Sequence, residues 1–195
     1  MTERQSTLVG ADELARCAWV GTDTEYARYH DEEWGRPLHG DRALFEKLSL
    51  EGFQAGLSWI TILRRRPGFR DAFHGFDPRR VAELGPDDVE ALMADTRIIR
   101  NRAKIVATIS NAQITTKLEP GELDALIWSF APAPRVAPVR SLSEIPALTA
   151  ESTALSVALR SRGYRFVGPT TMYALMQSAG LVDDHVAGCH RSTHA

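Results

Sequence analysis

Lysine is scarce in this 195-residue chain. Only Lys47, Lys104 and Lys117 are present, and none stands in an evident apolar pocket that would depress its pKa for Schiff-base chemistry. Cysteine is scarcer: Cys17 and Cys189 lie near opposite ends. Two such residues do not make a disulfide scaffold, and in a reducing compartment they read as buried thiols or as metal ligands. No apolar run approaches the length of a membrane span, and the N-terminal stretch MTERQSTLVGADELAR lacks the apolar core of a signal peptide. A cytoplasmic protein without membrane association is expected. GxSxG, P-loop, GxGxxG and Ser-His-Asp patterns are absent, so covalent catalysis is not advertised. A net charge of -2 also lacks the basic balance of a nonspecific phosphate binder. Two local basic patches remain, Arg64–Arg65–Arg66 and Arg97, Arg100, Arg102 and Lys104, and each reads equally as a solvated helix face. Nothing signals oligomerisation, so the default is a monomer.

The chain has enough apolar content, 44% against 25% charged, for one sizeable core. Strand signals are short and isolated, and helical spacing dominates. Asp41 is an N-cap candidate for a helix carrying Leu44, Phe45 and Leu48 on one face and running to about Ala55. Gly56 then relaxes the backbone, and Ser58 caps a second helix, WITILRRR. Asp77-Pro78 and Gly85-Pro86-Asp87-Asp88 are further start signals. VEALMAD meets RAKIVATISNAQITTKL across Thr96–Arg100, a helix-turn-helix or helix-hairpin-helix outline. Gly121–Phe130 reads as a short helix, and 131–140 as a Pro-rich connector. Ser152–Arg162 and Pro169–Ala179 read as the last helices, closed by Gly163 and Gly180.

Three constellations carry chemistry. In LEGFQAGLSW, Glu51 is the one acid in an apolar segment ending at Trp59. A partly desolvated carboxylate beside an aromatic suits a flat, electron-poor or cationic ligand, although a helix-pairing role has the same pattern. Trp19, Tyr26, Tyr29 and Trp34 cluster around His30, either as core or as a cage for a base turned out of the stack. His185 and Cys189, four apart, and Cys17 and His30, 13 apart, make a Cys2His2 set suited to a closed, structural zinc site. The spacing is not that of a compact zinc finger, and His39, His74, His190 and His194 are alternative donors.

The segments RCAWV, YARYHDEEWG, LFEKLSLEGFQAGLSWITIL, FDPRRV, IIRNRAKI, WSF, SLSEIP and RGYRFVGPTTMYALMQSAGLVDDHVAGC run in order from Arg16 to Cys189. Together they resemble the DNA-3-methyladenine glycosylase I family of the helix-hairpin-helix DNA glycosylase superfamily. The resemblance implies an all-α fold with one domain over 14–190 and the hairpin motif at about 86–118. It leaves a flexible extension at 1–13 and a tail at 191–195. It implies one structural zinc held by Cys17, His30, His185 and Cys189, joining the two ends. It implies that Glu51, Tyr29 and Trp59 contact the extruded base, with Tyr26, Trp19 and Trp34 in the same pocket, and that Gly56 and Leu57 approach the gap in the duplex. The hairpin cations Arg97, Arg100, Arg102 and Lys104 would meet DNA.

The activity implied is hydrolysis of the N-glycosidic bond of 3-methyladenine in alkylated double-stranded DNA. Water attacks, free 3-methyladenine leaves, an abasic site remains, and the enzyme works at the bacterial nucleoid. The hairpin DTRIIRNRAKI departs from the family, with Arg97 and Ala103 where glycine is common, which bears on DNA affinity rather than on chemistry. The superfamily's usual catalytic Asp after the hairpin is not evident, as is the family's habit. Two other classes share these features: a module that binds damaged or bent DNA without cutting it, and a zinc-stapled helical domain for protein partners. Turnover separates them.

Overall fold

The computed structural model describes residues 6–192. Among the described residues ten α-helices carry the fold, and helix makes up 54% of it. Helical spacing therefore read the class correctly, with one addition. Strands β1 (Thr7–Val9) and β2 (Ala15–Cys17) pair antiparallel, Thr7 opposite Cys17. The stretch expected as an extension is, over β1, the outer strand of this hairpin. Residues 1–5 and 193–195 lie outside the described residues. Arg16 ties the hairpin to the first helix, α1 (Thr24–Glu32), through Asp12 and Asp31, each at 2.6 Å.

Helix α2 (Asp41–Gln54) runs through the centre. An apolar stripe was expected, but nearly every residue from Leu44 to Phe53 is buried. The helix packs on several sides, against α3 (Trp59–Leu63), α7 (Arg102–Thr115), α8 (Glu122–Trp128) and α10 (Pro169–Ser178). A helix enclosed in this way has no single polar face. Beside it Phe53, Phe69, Phe73 and Phe76 stack in a row with centroids 4.6, 6.3 and 5.6 Å apart, all fully buried.

Three boundaries differ from the sequence reading. The N-cap of α2 is Gly40, not Asp41. The Asp41 carboxylate instead accepts from the backbone N–H groups of Gly121 (2.7 Å) and Asp124 (2.9 Å) at the start of α8. Asp124 returns the contact by accepting from the Gly40 N–H at 2.7 Å. Two helix N-termini thus satisfy each other's orphan donors across 80 to 84 residues of chain, a pairing that local caps cannot reveal. WITILRRR is not one helix, because Pro67, lacking an N–H, opens α4 (Arg66–Ala72) after α3 has closed. Helix α9 (Ala150–Ser161) starts earlier than Ser152, capped by Thr149 in a reciprocal box with Ser152.

Helix α5 (Pro78–Ala82) and α6 (Pro86–Ala94) pack on α7, and residues 95–101 connect α6 to α7. The Pro-rich connector reaches the C-terminal segment through a parallel bridge, Val139 to Val186, with the Ala187 N–H donating to the Val139 carbonyl at 2.7 Å. Gly180 allows a close crossing, since a Cβ there would lie 2.4 Å from the Arg36 carbonyl carbon.

Asp41→Ala leaves the opening turn of α8 uncapped, and it should lower unfolding free energy by about 1–2 kcal/mol. A denaturant midpoint equal to wild type would mean that the reciprocal cap contributes nothing.

Candidate active site

Four elements meet over the C-terminal half of α2 around a cavity of ≈ 200 Å³. Trp19 comes from the turn after β2, Tyr26 and Tyr29 from α1, and Trp34 from just beyond it. Trp59 opens α3, and Ala174, Gln177 and Ser178 lie along one face of α10. Glu51 lines the cavity from α2. All six aromatic and acidic residues expected at the base pocket therefore line one cavity. The sequence reading weighted the aromatics as core, and they are both. Tyr29 and Trp59 are buried with rings 5.4 Å apart, and Trp19 meets Tyr26 and Trp34 edge-on at 4.8 and 5.1 Å. The indole Nε1 of Trp59 is buried without a hydrogen-bond partner among the described residues. It is a donor left for an acceptor that enters the cavity.

Glu51 is 3% exposed and accepts one hydrogen bond, from the Ser178 hydroxyl at 2.8 Å. Burial pushes its carboxyl up to about 7, against the pull of Lys47 and Ser178 in the other direction. Lys47, one helical turn earlier on α2, overturns the expectation that no lysine sits in an apolar pocket. It is 6% exposed, and burial brings its ammonium down to about 8. Its Nζ donates to the Tyr29 hydroxyl at 3.0 Å and lies 4.8 Å from the ring centroids of both Tyr29 and Trp59. The i, i+4 spacing of Lys47 and Glu51 was visible in the sequence. Their joint burial was not, and Gln177 and Ser178, more than 120 residues away, carried no signal at all.

A second cluster lies beside this cavity. Donor atoms of Cys17, His30 and Cys189 sit within 4.8 Å of one another, all buried. The two thiols share a hydrogen bond that holds Cys17 up and Cys189 down. His185 stands outside that group of three, but its ring is 5.0 Å from that of His30, and its buried Nε2 has no partner among the described residues. Each imidazole gives its other nitrogen to a carboxylate at 2.8 Å, His30 to Asp31 and His185 to Asp183. That arrangement turns both Nε2 atoms inward, as in carboxylate–histidine–metal triads: His30 Nε2 contacts the Cys189 sulfur at 3.4 Å, and His185 Nε2 is left for a further partner. Gly35 makes room for it, since a Cβ there would come within 2.6 Å of the His185 ring. Two thiols and two imidazoles are the donor types of a tetrahedral zinc site, and three of these four donors are gathered here with His185 adjacent.

The hairpin cations are less uniform than expected. Arg97 pairs with Asp95 at 2.8 Å and Asp71 at 3.2 Å, and Arg102 with Glu90 at 2.5 Å. Arg100 is exposed. Lys104 corrects the reading of an exposed DNA contact. It is buried, and its Nζ donates to the carbonyls of Phe53 (2.8 Å) and Ala55 (2.7 Å). There it satisfies the free carbonyls at the end of α2. The Ala55 carbonyl directly precedes Gly56, at φ +85°, which is followed by the exposed Leu57.

One acid and five aromatic side chains thus line a single cavity, and the exposed Gly56–Leu57 turn lies in the chain between Gln54 and Trp59, which both line it. The family profile described as methyladenine glycosylase matches residues 19–192. DNA-3-methyladenine glycosylase 1 of Escherichia coli (strain K12) is 50% identical over 179 residues, which are 90% of this chain and 96% of that protein. The DNA-3-methyladenine glycosylase of Haemophilus influenzae is 49% identical over 177 residues, 89% of this chain and 96% of that one. A structure addressing 3-methyladenine recognition by 3-methyladenine DNA glycosylase I from Staphylococcus aureus superposes with a TM-score of 0.86. It shares 34% identity and covers 92% of this chain and 98% of its own. The chain belongs to the methyladenine glycosylase family. No helix among the described residues is long and apolar enough to cross a membrane.

The raised pKa of Glu51 has a stability consequence. Its ordinary value is 4.5 and its folded value about 7. The penalty for burying the anion is therefore absent below about pH 4.5, grows as pH rises to 7, and is complete above that. Glu51→Gln keeps an acceptor for Ser178 and removes the charge. It should raise stability at pH 8 by on the order of 1–3 kcal/mol and leave it nearly unchanged at pH 4.5. Melting curves at the two pH values check this, and a variant destabilised at pH 8 would show that the charge is not a burden on the fold.

Proposed function

We propose that this protein is a monofunctional DNA glycosylase of base-excision repair. It hydrolyses the N-glycosidic bond of 3-methyladenine in alkylated double-stranded DNA, with water as nucleophile, and leaves an abasic site. The observation that carries this reading is Glu51, a buried carboxylate at the floor of an aromatic cavity. The relatives named for this activity support it.

A 3-methyladenine nucleotide carries a positive charge on its base, which becomes neutral on departure. Glu51 favours that cation, and an incoming cation restores the ionised carboxylate that burial disfavours. Tyr29 and Trp59 pack on the ring, and Trp19, Tyr26 and Trp34 close the walls. The free Trp59 N–H donates to a ring nitrogen. An uncharged adenine gains less from this cage and is a poorer leaving group, so selection and rate come from the same contacts. The extruded base leaves a gap in the duplex, and the exposed Leu57 on the Gly56 turn fills it. The α6–α7 pair serves as the helix-hairpin-helix, with Arg100 free for phosphate and Arg97 and Arg102 exchanging acidic partners for DNA. Lys104 acts indirectly, by anchoring the end of α2 behind the Leu57 turn.

Cys17, His30, His185 and Cys189 would hold one zinc ion. A closed set of four ligands supplies no catalytic position, so the ion's part is structural, fastening the β-hairpin and α1 to the C-terminal segment. The protein acts as a monomer at the nucleoid.

Chromatography of bases released from methylated duplex DNA should show selective loss of 3-methyladenine. Glu51→Gln should slow it by about ten- to hundredfold, the worth of one charge-assisted contact. For wild type, kcat/KM should fall as pH drops below about 7, where Glu51 takes up its proton, and this acid limb should vanish in Glu51→Gln. A folded protein that releases no base would instead be a binding module for damaged DNA. Purified protein should contain one zinc, and Cys189→Ser should lose it together with thermal stability. Metal-free protein with an unchanged melting point would remove the ion from this account.

A further inference from the structure

We propose that Gln177 is a specificity-determining residue, its amide locked by Asp184 so that the carbonyl accepts from the exocyclic amine of the bound base. This rests on the glycosylase reading and extends it to the choice between 6-amino and 6-oxo purines.

Asp184 is fully buried and takes three donors. Arg135 reaches its Oδ1 at 2.8 Å, and the Tyr173 hydroxyl and the Gln177 Nε2 reach its Oδ2 at 2.5 and 2.9 Å. An ionised carboxylate only accepts, so the side-chain amide of Gln177 must turn its NH2 towards Asp184. The orientation, usually a matter of assignment, is here dictated by the partner. The remaining polar atom of Gln177 is Oε1, which no hydrogen bond engages among the described residues. Gln177 lines the base cavity in company with Ser178 and Glu51, and the Ser178 hydroxyl is itself committed to Glu51 at 2.8 Å. The free polar atoms that Glu51 and Gln177 offer to the cavity are therefore acceptors, beside the amide of Gln54, which carries both a donor and an acceptor.

Adenine presents an amine at position 6, and guanine presents a carbonyl there. An amine satisfies the Glu51 and Gln177 acceptors, whereas a carbonyl oxygen placed against these two leaves them unpaired and mutually repelling. Sites built to pair a donor reject analogues that lack it far more strongly than apolar pockets reject a change of size. The network thus converts an ion pair between the exposed Arg135 and the buried Asp184 into discrimination at a cavity that neither residue lines.

The test uses the full-length protein. Binding of free 3-methyladenine and free 3-methylguanine is followed by tryptophan fluorescence, and release of both from methylated duplex DNA by chromatography. Gln177→Met keeps the length of the side chain and removes its polar atoms. It should weaken binding and slow release of 3-methyladenine roughly tenfold, with little change for 3-methylguanine, so the ratio narrows. Asp184→Asn lets the amide turn and offer its NH2, and it should raise 3-methylguanine relative to 3-methyladenine. Misfolding cannot produce such a gain. Equal losses on both bases in Gln177→Met, or an unchanged ratio, would overturn the assignment while leaving the glycosylase reading intact. Wild-type protein that neither binds nor releases 3-methyladenine would overturn both.

Discussion

A carboxylate and an ammonium one helical turn apart, both sealed from water on α2, are the constraint that organises this molecule. Glu51 and Lys47 do not form a close ion pair, and burial disfavours the charge of each. Such groups persist in a core only if the surroundings hold them there. The Tyr29 hydroxyl and two aromatic faces receive Lys47, and the Ser178 hydroxyl supports Glu51. Each of these partners comes from a different helix. Glu51 in particular is under-compensated, which is what leaves it ready for an external cation.

The scaffold around α2 explains how a small chain carries that burden. The phenylalanine row packs beside it, Asp41 at its start caps the N-terminus of α8, and Lys104 satisfies the carbonyls at the C-terminus of α2. A rigid, fully occupied central helix fixes Glu51 to a definite depth. It also fixes where the chain emerges at Gly56 and Leu57, so the floor of the cavity and the exposed turn beside it are set by one element.

The two ends of the chain meet on the opposite wall. Cys17 at the end of β2, His30 on α1, and His185 and Cys189 near the C-terminus converge behind Trp19 and Trp34. A zinc ion there, as proposed, would stiffen the aromatic wall as well as the fold, because the same α1 that carries His30 carries Tyr26 and Tyr29. Asp184 and its three donors brace α10 next to that junction, so the support of the pocket and the junction of the termini are built from neighbouring residues.

Local sequence determined the helices, most of their ends and the chemistry of the key residues. Pro, Gly and cap residues act within a turn or two of chain, and residue type alone says that Glu51 is acidic, that Trp59 is aromatic and that Cys17 and Cys189 can bind metal. It also placed Glu51 and Trp59 on two successive helices across the Gly56 turn. Tertiary structure decided what depends on distance and dielectric. Asp41 looked like a cap for its own helix and caps another one. Lys104 looked like a surface cation and is an internal donor. Lys47 looked unremarkable and is the buried charge next to the site. Gln177 and Ser178 became pocket residues only when α10 docked on α2. Burial, and with it the protonation and the partners of a charged group, belongs to the packed molecule, because desolvation is produced by atoms that are remote in the chain.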